Sequence, residues 1–202
     1  MMQPEKRDYF DRLAREWDAL PRPPDWAVRV ERFCVHALPD AARTALDVGS
    51  GTGLLLPFLR RLRPGLLVVE LDFSLAMLRA GRTKHGDAGV VRICADALAL
   101  PLPDASFDSV LCFGILPHLG PPSEALAALW RVVAPAGHLA VGHLLGSAQL
   151  TQRHREIGGP VAADALVPAA EAAAILAALG AEPAAARDKP DEYLVVARRR
   201  PE

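Results

Sequence analysis

An α/β fold is what the sequence predicts: a doubly wound, mostly parallel sheet of seven strands with helices on both faces and a helical cap ahead of it. Three observations carry this expectation. Short apolar runs alternate with amphipathic segments of about ten residues, the signature of crossovers between parallel strands. LLVVEL (66–71) and SVLCFG (109–114) are almost wholly apolar, as strands buried on both faces must be. A glycine-rich loop follows the first such run directly, at the strand end where open sheets of this kind bind ligands.

Residues 3–20 place Tyr9, Phe10, Leu13, Trp17 and Leu20 at helical spacing. PRPPD (21–25) breaks that helix, since proline lacks the donor and disfavours helical geometry in the residue before it. Residues 25–38 resume a helical pattern. ARTALDVGS (42–50) reads as a buried strand, and LLLPFLRRL (54–62) as a helix whose Pro57 is tolerable only in the first turn. The second strand is 66–71, and a helix over 74–84 has Ser74 as its N-cap. Strands are expected at 90–95, 109–114 and 137–145, with a helix at 122–134 before the last of them. The remainder predicts helices at 147–157 and 168–179 and two weaker strands near 181–187 and 192–198. No repeat or low-complexity linker divides the chain. Residues 1–202 are therefore expected to form one domain: a cap (1–40), a ligand-binding core (41–145) and a C-terminal part (146–202).

Composition narrows the function classes. The 202 residues are 51% hydrophobic and 23% charged, with a formal net charge of -1. That balance excludes a disordered tail, a collagen-like fibre and a strongly basic nucleic-acid binder. No apolar run reaches the roughly 18 to 20 residues of a membrane span. The charged start lacks the apolar stretch of a signal peptide. Cys34, Cys94 and Cys112 form no CxxC pair, so reduced thiols and a cytoplasmic setting are expected. No metal-spaced ligand cluster is evident.

The strongest chemical signal is Leu46-Asp47-Val48-Gly49-Ser50-Gly51-Thr52-Gly53. Glycines between a strand and a helix permit positive φ and let a ligand approach the main chain. A tight turn alone needs fewer glycines and no acid. A dinucleotide fingerprint is GxGxxG, but here Leu54 occupies the third glycine's place. A P-loop is excluded, because no Lys-Ser or Lys-Thr follows. Asp47 ahead of the loop suits a positively charged ligand better than a diphosphate. Asp72, at the tip of the second strand and about twenty residues beyond the loop, is placed to accept both hydroxyls of a ribose. Glu70 lies inside the strand instead.

LDVGSGTG, VVELDFSLAMLRAGR, CADALALPLPDASFDSVLCFGILPHL and LWRVVAPAGHLAV resemble, in order, the motifs of class I S-adenosylmethionine-dependent methyltransferases. The flavour is the small-molecule, quinone-biosynthesis (UbiE-like, methyltransferase type 11) branch, and the likeness runs from residue 9 to about 145. It implies a Rossmann-like fold and an enzyme that moves a methyl group from S-adenosylmethionine to a small-molecule acceptor, leaving S-adenosylhomocysteine. It implies that Asp47, Gly49, Ser50, Gly51 and Gly53 hold the methionine part of the cofactor, with Asp47 toward its ammonium. Asp72 would take the ribose, Phe73 and Met77 would pack on adenine, Asp96 would accept from the adenine amino group, and the Ala97 amide would donate to a ring nitrogen. Cys112 and Phe113 would line the sulfonium. Pro135-Ala136-Gly137 departs from the family's Pro-Gly-Gly, at a turn expected to lie away from the cofactor. FDRLAREWD (10–18) resembles a cap helix that closes over the cofactor.

Methyl transfer is dominated by in-line positioning, and a base is needed only when the nucleophile must lose a proton. His118 and His143, at the ends of the fourth and fifth strands, are the candidate bases, with His154 a third. The expected partner is a small-molecule acceptor, with no nucleic acid and with a homodimer left open. Two other readings stay open: a catalytically silent module that binds the same cofactor, and a nicotinamide-dependent oxidoreductase.

Overall fold

The computed structural model describes residues 4–201; the first three residues of the expected cap, and Glu202, lie outside the described residues. The strands are β1 (Thr44–Val48), β2 (Leu67–Asp72), β3 (Val90–Cys94), β4 (Phe107–Phe113), β5 (Val133–His143), β6 (Glu182–Lys189) and β7 (Glu192–Arg198). They form one seven-stranded sheet in the order β3-β2-β1-β4-β5-β7-β6. The first five run parallel, and β7 lies antiparallel between β5 and β6. Chain order reverses at β1, which pairs with both β2 and β4. That reversal opens a crevice beyond the strand ends.

The helices are α1 (Pro4–Leu13), α2 (Trp26–Ala37), α3 (Leu56–Leu62), α4 (Leu75–His85), α5 (Pro122–Arg131), α6 (Ser147–Ile157) and α7 (Ala169–Ala178). Pro57 sits in the first turn of α3, and Ser74 caps α4 by accepting from Met77 N at 3.1 Å. Alternate strand residues feed opposite faces, as the pleat requires. Leu46, Val69, Val110 and Leu139 join Leu126, Leu129 and Leu176 of α5 and α7 in one core. Ala45, Val68, Leu111 and Ala140 join Val30, Phe33, Leu56 and Leu59 of α2 and α3 in the other. A third, smaller cluster docks α1 on α4 through Phe10, Ala14, Phe73, Met77 and Val161.

Several boundaries shift by one to three residues, and two shift by four or more. The first helix ends at Leu13, and the chain then forms a separate 3-10 turn at Trp17–Ala19. The turn sets Trp17 against Phe10, ring centroids 5.9 Å apart, and brings the Asp18 carboxylate to Thr52 Oγ1 at 2.9 Å. These tertiary contacts override the helical periodicity. The fifth strand begins at Val133, four residues before the expected 137, because Val133 already pairs with Phe107 ahead of an irregularity in register.

Candidate functional site

The glycine loop is tied to the end of β2, Gly49 N and Ser50 N donating to Leu71 O at 2.7 and 3.1 Å. Gly49 adopts φ +68, and a Cβ there would lie 2.5 Å from Ile115 Cγ1. Gly53 adopts φ +80, and its Cβ would lie 2.8 Å from Glu70 Oε1. Both positions therefore exclude a side chain on conformation and on space.

Register places three charged residues in a row across the sheet, Asp47 beside Glu70 and Glu70 beside Arg92. Arg92 Nε reaches Glu70 Oε2 at 2.7 Å. Among the described residues Asp47 has no such cation. Its carboxyl is buried, Oδ2 has no hydrogen-bond partner, and burial together with the charges of Glu70 and Asp72 pushes its pKa well up. Asp72 Oδ2 accepts from Gly51 N at 2.9 Å and Oδ1 from Ser74 N at 2.8 Å. Burial pushes Asp72 up to about 6 against the pull of those bonds. Each of its oxygens keeps a second lone pair for a further donor. Ser50 Oγ is a second buried oxygen without a partner. Loop and strand ends thus present orphaned acceptors and excess negative charge, a fit for a cationic ligand carrying hydroxyls and a misfit for a diphosphate.

Beyond the strand ends lies a crevice with about 190 Å³ of empty volume, lined by residues from four strand ends: Gly49, Leu71, Asp72, Phe73, Ala95, Ala97, Ile115 and Leu119. Among the residues singled out in the sequence, Gly49, Asp72, Phe73 and Ala97 meet there. Asp96 Oδ1 accepts from Leu98 N at 3.0 Å, capping the 3-10 turn Ala97–Ala99. Met77 lies instead in the small cluster under α1. Cys112 is buried in the main core, where burial pushes its thiol up. Phe113 packs on Phe33, centroids 4.8 Å apart, at a second groove of about 300 Å³ that His143 and Tyr193 also line. The cap closes on the loop from the other side: Asp18 holds Thr52 and Lys84, and Ser74 Oγ donates to Asp11.

Three histidines gather past β4 and β5. His118, in the 3-10 turn Leu116–His118, meets Asp164 Oδ2 through Nδ1 at 2.6 Å, and Lys6 Nζ donates to Asp164 Oδ1 at 2.5 Å. His154 Nδ1 lies 2.8 Å from Asp164 O, and the His118 and His154 rings are 5.0 Å apart. At the end of β5, His143 Nδ1 accepts from Leu145 N at 2.9 Å. Burial, with His154 and His118 nearby, depresses His143 to about 4. Asp164 and Lys6 carried no signal in the sequence. Lys6 is one charge in the run Glu5-Lys6-Arg7-Asp8, Asp164 is an isolated charge in an apolar stretch, and 158 positions separate them. Among the described residues, no group of three or more His, Cys, Asp or Glu is disposed to hold a metal ion. No helix among them is long and apolar enough to cross a membrane.

The fold is that of the class I S-adenosylmethionine-dependent methyltransferases. Residues 46–141 match the family model described as a methyltransferase domain. The chain is 40% identical over 138 residues to the demethylmenaquinone methyltransferase of Thermus thermophilus, covering 65% of this chain and 62% of that one. It is 43% identical over 109 residues to the demethylmenaquinone methyltransferase of Renibacterium salmoninarum, covering 53% and 43%. The chain thus spans less than two thirds of the length of these relatives. Among solved structures, it is similar to a SAM-dependent methyltransferase from Aquifex aeolicus, with TM-score 0.67 and 21% identity over 98% of this chain and 99% of that one. It is also similar to an O-methyltransferase family protein from Burkholderia thailandensis, with TM-score 0.72 and 18% identity over 96% and 60%. At these identities the two structures speak for the fold.

Proposed function

We propose that this chain transfers a methyl group from S-adenosylmethionine to a small-molecule acceptor and releases S-adenosylhomocysteine. The observation that carries the reading is the Asp47 carboxyl, whose buried Oδ2 has no partner among the described residues, beside the positive-φ glycines and in a row where Arg92 pairs with Glu70 and not with Asp47. An ammonium supplies the missing positive charge. A pyrophosphate would meet Asp47 and Asp72 as like charges, which argues against a nicotinamide cofactor. In this reading Asp47 and Ser50 hold the amino-acid end, and Gly49, Gly51 and Gly53 leave the room beside the main chain for it. Asp72 holds the ribose, and Phe73, Asp96 and Ala97 hold the base; Met77 supports Phe73 from beneath, while Cys112 and Phe113 back the wall at the tip of β4. The cofactor, when bound, supplies an electrophilic methyl on a sulfonium. The protein's part is to orient it and to exclude water beneath the cap. The relatives named for demethylmenaquinone support the quinone-biosynthesis branch, and the near-neutral charge supports a small-molecule acceptor over nucleic acid.

Calorimetry with S-adenosylmethionine, S-adenosylhomocysteine and NAD tests the assignment, with micromolar binding expected for the first two only. Asp72→Ala is expected to weaken that binding by roughly 30- to 150-fold, the worth of two charge-assisted bonds at about 2 to 3 kcal/mol. Glu70→Ala is expected to lower stability by about 1 to 3 kcal/mol by removing the buried partner of Arg92, which keeps Asp87 and Gly86 O, with far less effect on affinity. NAD binding without an S-adenosyl signal, or equal affinity losses in both variants, would refute the assignment. Cofactor binding with no methyl transfer to any small-molecule pool would point to the silent binding module.

A further inference from the structure

Behind the glycine loop, Glu70 Oε1 on β2, Arg92 Nη2 on β3 and His85 Nε2 at the end of α4 are buried without a partner among the described residues. Two of them converge. The point where a Cβ of Gly53 would stand lies 2.8 Å from Glu70 Oε1 and 3.3 Å from His85 Nε2. The main chain at Gly53 therefore rests on a carboxylate and an imidazole. One turn earlier in α4, Gly81 meets the loop as well, its Cβ position 3.2 Å from the Thr52 carbonyl carbon. The same helix starts at its cap Ser74, whose amide donates to Asp72 at 2.8 Å. It is thus a strut along the whole site, from the acid assigned to the ribose to the glycines assigned to the amino-acid end.

We propose that His85 and Glu70 are positioning residues for the cofactor: a bond from His85 Nε2–H to Glu70 Oε1, closed behind Gly53, fixes the far end of α4 and with it the spacing between the glycine loop and Asp72. The proposal rests on the methyl-transfer reading for the ligand that spans this distance. The polarity of the bond follows from its neighbours. Burial raises Glu70, and Arg92 Nε, 2.7 Å from Oε2, pulls it back toward the carboxylate, so Oε1 accepts. Burial and the charges of Lys84, Arg60 and Arg92 hold His85 below its ordinary value against the pull of Asp18. Its neutral ring has one proton to place. Other donors nearby are engaged: Lys84 with Asp18, Arg60 with His85 O and Ala88 O, and Arg92 Nη1 with Gly86 O and Asp87. Asp47 on β1 faces Glu70 as a second acid and supplies no positive charge. Arg92 Nη2 is the remaining rival for Oε1.

The consequence is a dependence on ligand length. In this reading S-adenosylhomocysteine reaches from Asp47 to Asp72, so its affinity requires both ends to be held at the right distance. Adenosine meets only the Asp72 end. Loosening the far end of α4 therefore weakens the long ligand and spares the short one. A general loss of packing would weaken both.

Calorimetry with S-adenosylhomocysteine and adenosine on His85→Met and His85→Gln tests this. Methionine fills the space without a donor, while the glutamine carboxamide puts an N–H where Nε2 was. His85→Met is expected to weaken S-adenosylhomocysteine binding about three- to fivefold, the worth of one hydrogen bond, and to leave adenosine binding as it was. His85→Gln is expected to recover most of that loss. Equal losses for the two ligands, no loss in His85→Met, or no recovery in His85→Gln would overturn the proposal. Where the variants fold poorly, the unsubstituted protein decides. Long-range ¹H–¹⁵N correlation spectra of histidine-labelled protein at pH 7.5, assigned through the backbone, should show the His85 proton on Nε2. A proton on Nδ1, leaving Oε1 to Arg92 Nη2, would equally overturn it. Unsubstituted protein that binds no S-adenosylhomocysteine refutes the methyl-transfer reading instead, and the spectra, taken without ligand, still report on the bond.

Discussion

Asp72 shows how a single buried carboxyl links ligand, proton and fold. Burial raises it to about 6, against about 3.9 in an unfolded chain. An acid raised in this way holds its proton more tightly folded than unfolded. Its stabilising contribution is present below pH ~4 and lost as pH rises through ~6, roughly 3 kcal/mol in all. Asp164, Asp108 and Asp18 are held low by their donors and act in the opposite sense, losing their contribution only as pH falls below the ordinary carboxylate range. Between pH 7.5 and 5 this gain runs against the buried histidines, His143 above all at about 4, whose contribution is lost as pH falls below the ordinary imidazole value. The acid's own share is isolated by Asp72→Asn, which is expected to lower the urea midpoint at pH 5 relative to that at pH 7.5 when compared with the unsubstituted protein. A ligand that brings an ammonium to Asp47 and hydroxyls to Asp72 selects the ionised acids, so S-adenosylhomocysteine affinity should fall below pH ~6 by up to tenfold per unit for each proton displaced. An affinity that stays flat from pH 7.5 to 5 would show that neither Asp47 nor Asp72 meets the ligand ionised. Both acids were legible in the sequence because each belongs to a local pattern, a strand end beside glycines or ahead of a helix cap. Asp164 was not, because its role exists only once Lys6 and His118 converge on it from distant parts of the chain.

Among the elements, the buried strands were the most legible and the turns the least. Val68 to Asp72 is apolar or site-forming at every position, and its burial leaves no alternative to a central strand. β6 is an exposed edge rich in charge, so its apolar pattern is weak and only pairing with β7 defines it. The turn inside β5 shows a cost that residue types alone did not display. Ala136 adopts φ +61, a left-handed conformation where the related pattern has glycine. A non-glycine residue there costs roughly 1 to 2 kcal/mol, offset in part by the greater freedom of glycine in the unfolded chain. Ala136→Gly is accordingly expected to raise stability by about 0.5 to 1 kcal/mol in urea melts, without altering cofactor affinity. The cap makes a second case. α1 is fastened by Phe10 against Phe73 and His118 and by the buried Lys6–Asp164 pair. Lys6→Met keeps the apolar stem but removes a charged hydrogen bond worth about 2 kcal/mol. Hydrogen exchange should then quicken in α1 first, with the strands still protected. Uniform loss of protection would mean that the cap and the sheet open together.

At the scale of the molecule, the crevice and the histidine cluster belong to one end of one sheet, and the cap reaches both. Trp17 and Asp18 touch the glycine loop, Asp11 touches Ser74, and Lys6 touches Asp164, so ligand binding at the loop is mechanically joined to the histidine cluster. The resemblance of FDRLAREWD implies a cap over the loop. Its individual contacts, and Lys6 at Asp164, could not be read as a pattern, since they depend on where a short N-terminal segment lands on a completed fold. It does have a consequence for cooperativity. If residues 1–202 unfold as one unit, a ligand bound at the loop stabilises every element equally. At a hundred times its Kd, S-adenosylhomocysteine adds about 2.7 kcal/mol. For a chain of this size each kcal/mol moves the midpoint by roughly 2 to 4 °C. A single calorimetric transition displaced upward by about 5 to 10 °C is therefore expected, while NAD at the same concentration leaves it in place. Lys6→Met should keep one transition and a similar displacement, because the loop contacts of Trp17 and Asp18 remain. Two resolved transitions, with only one responding to the ligand, would show instead that the cap or the C-terminal strands form a separate folding unit.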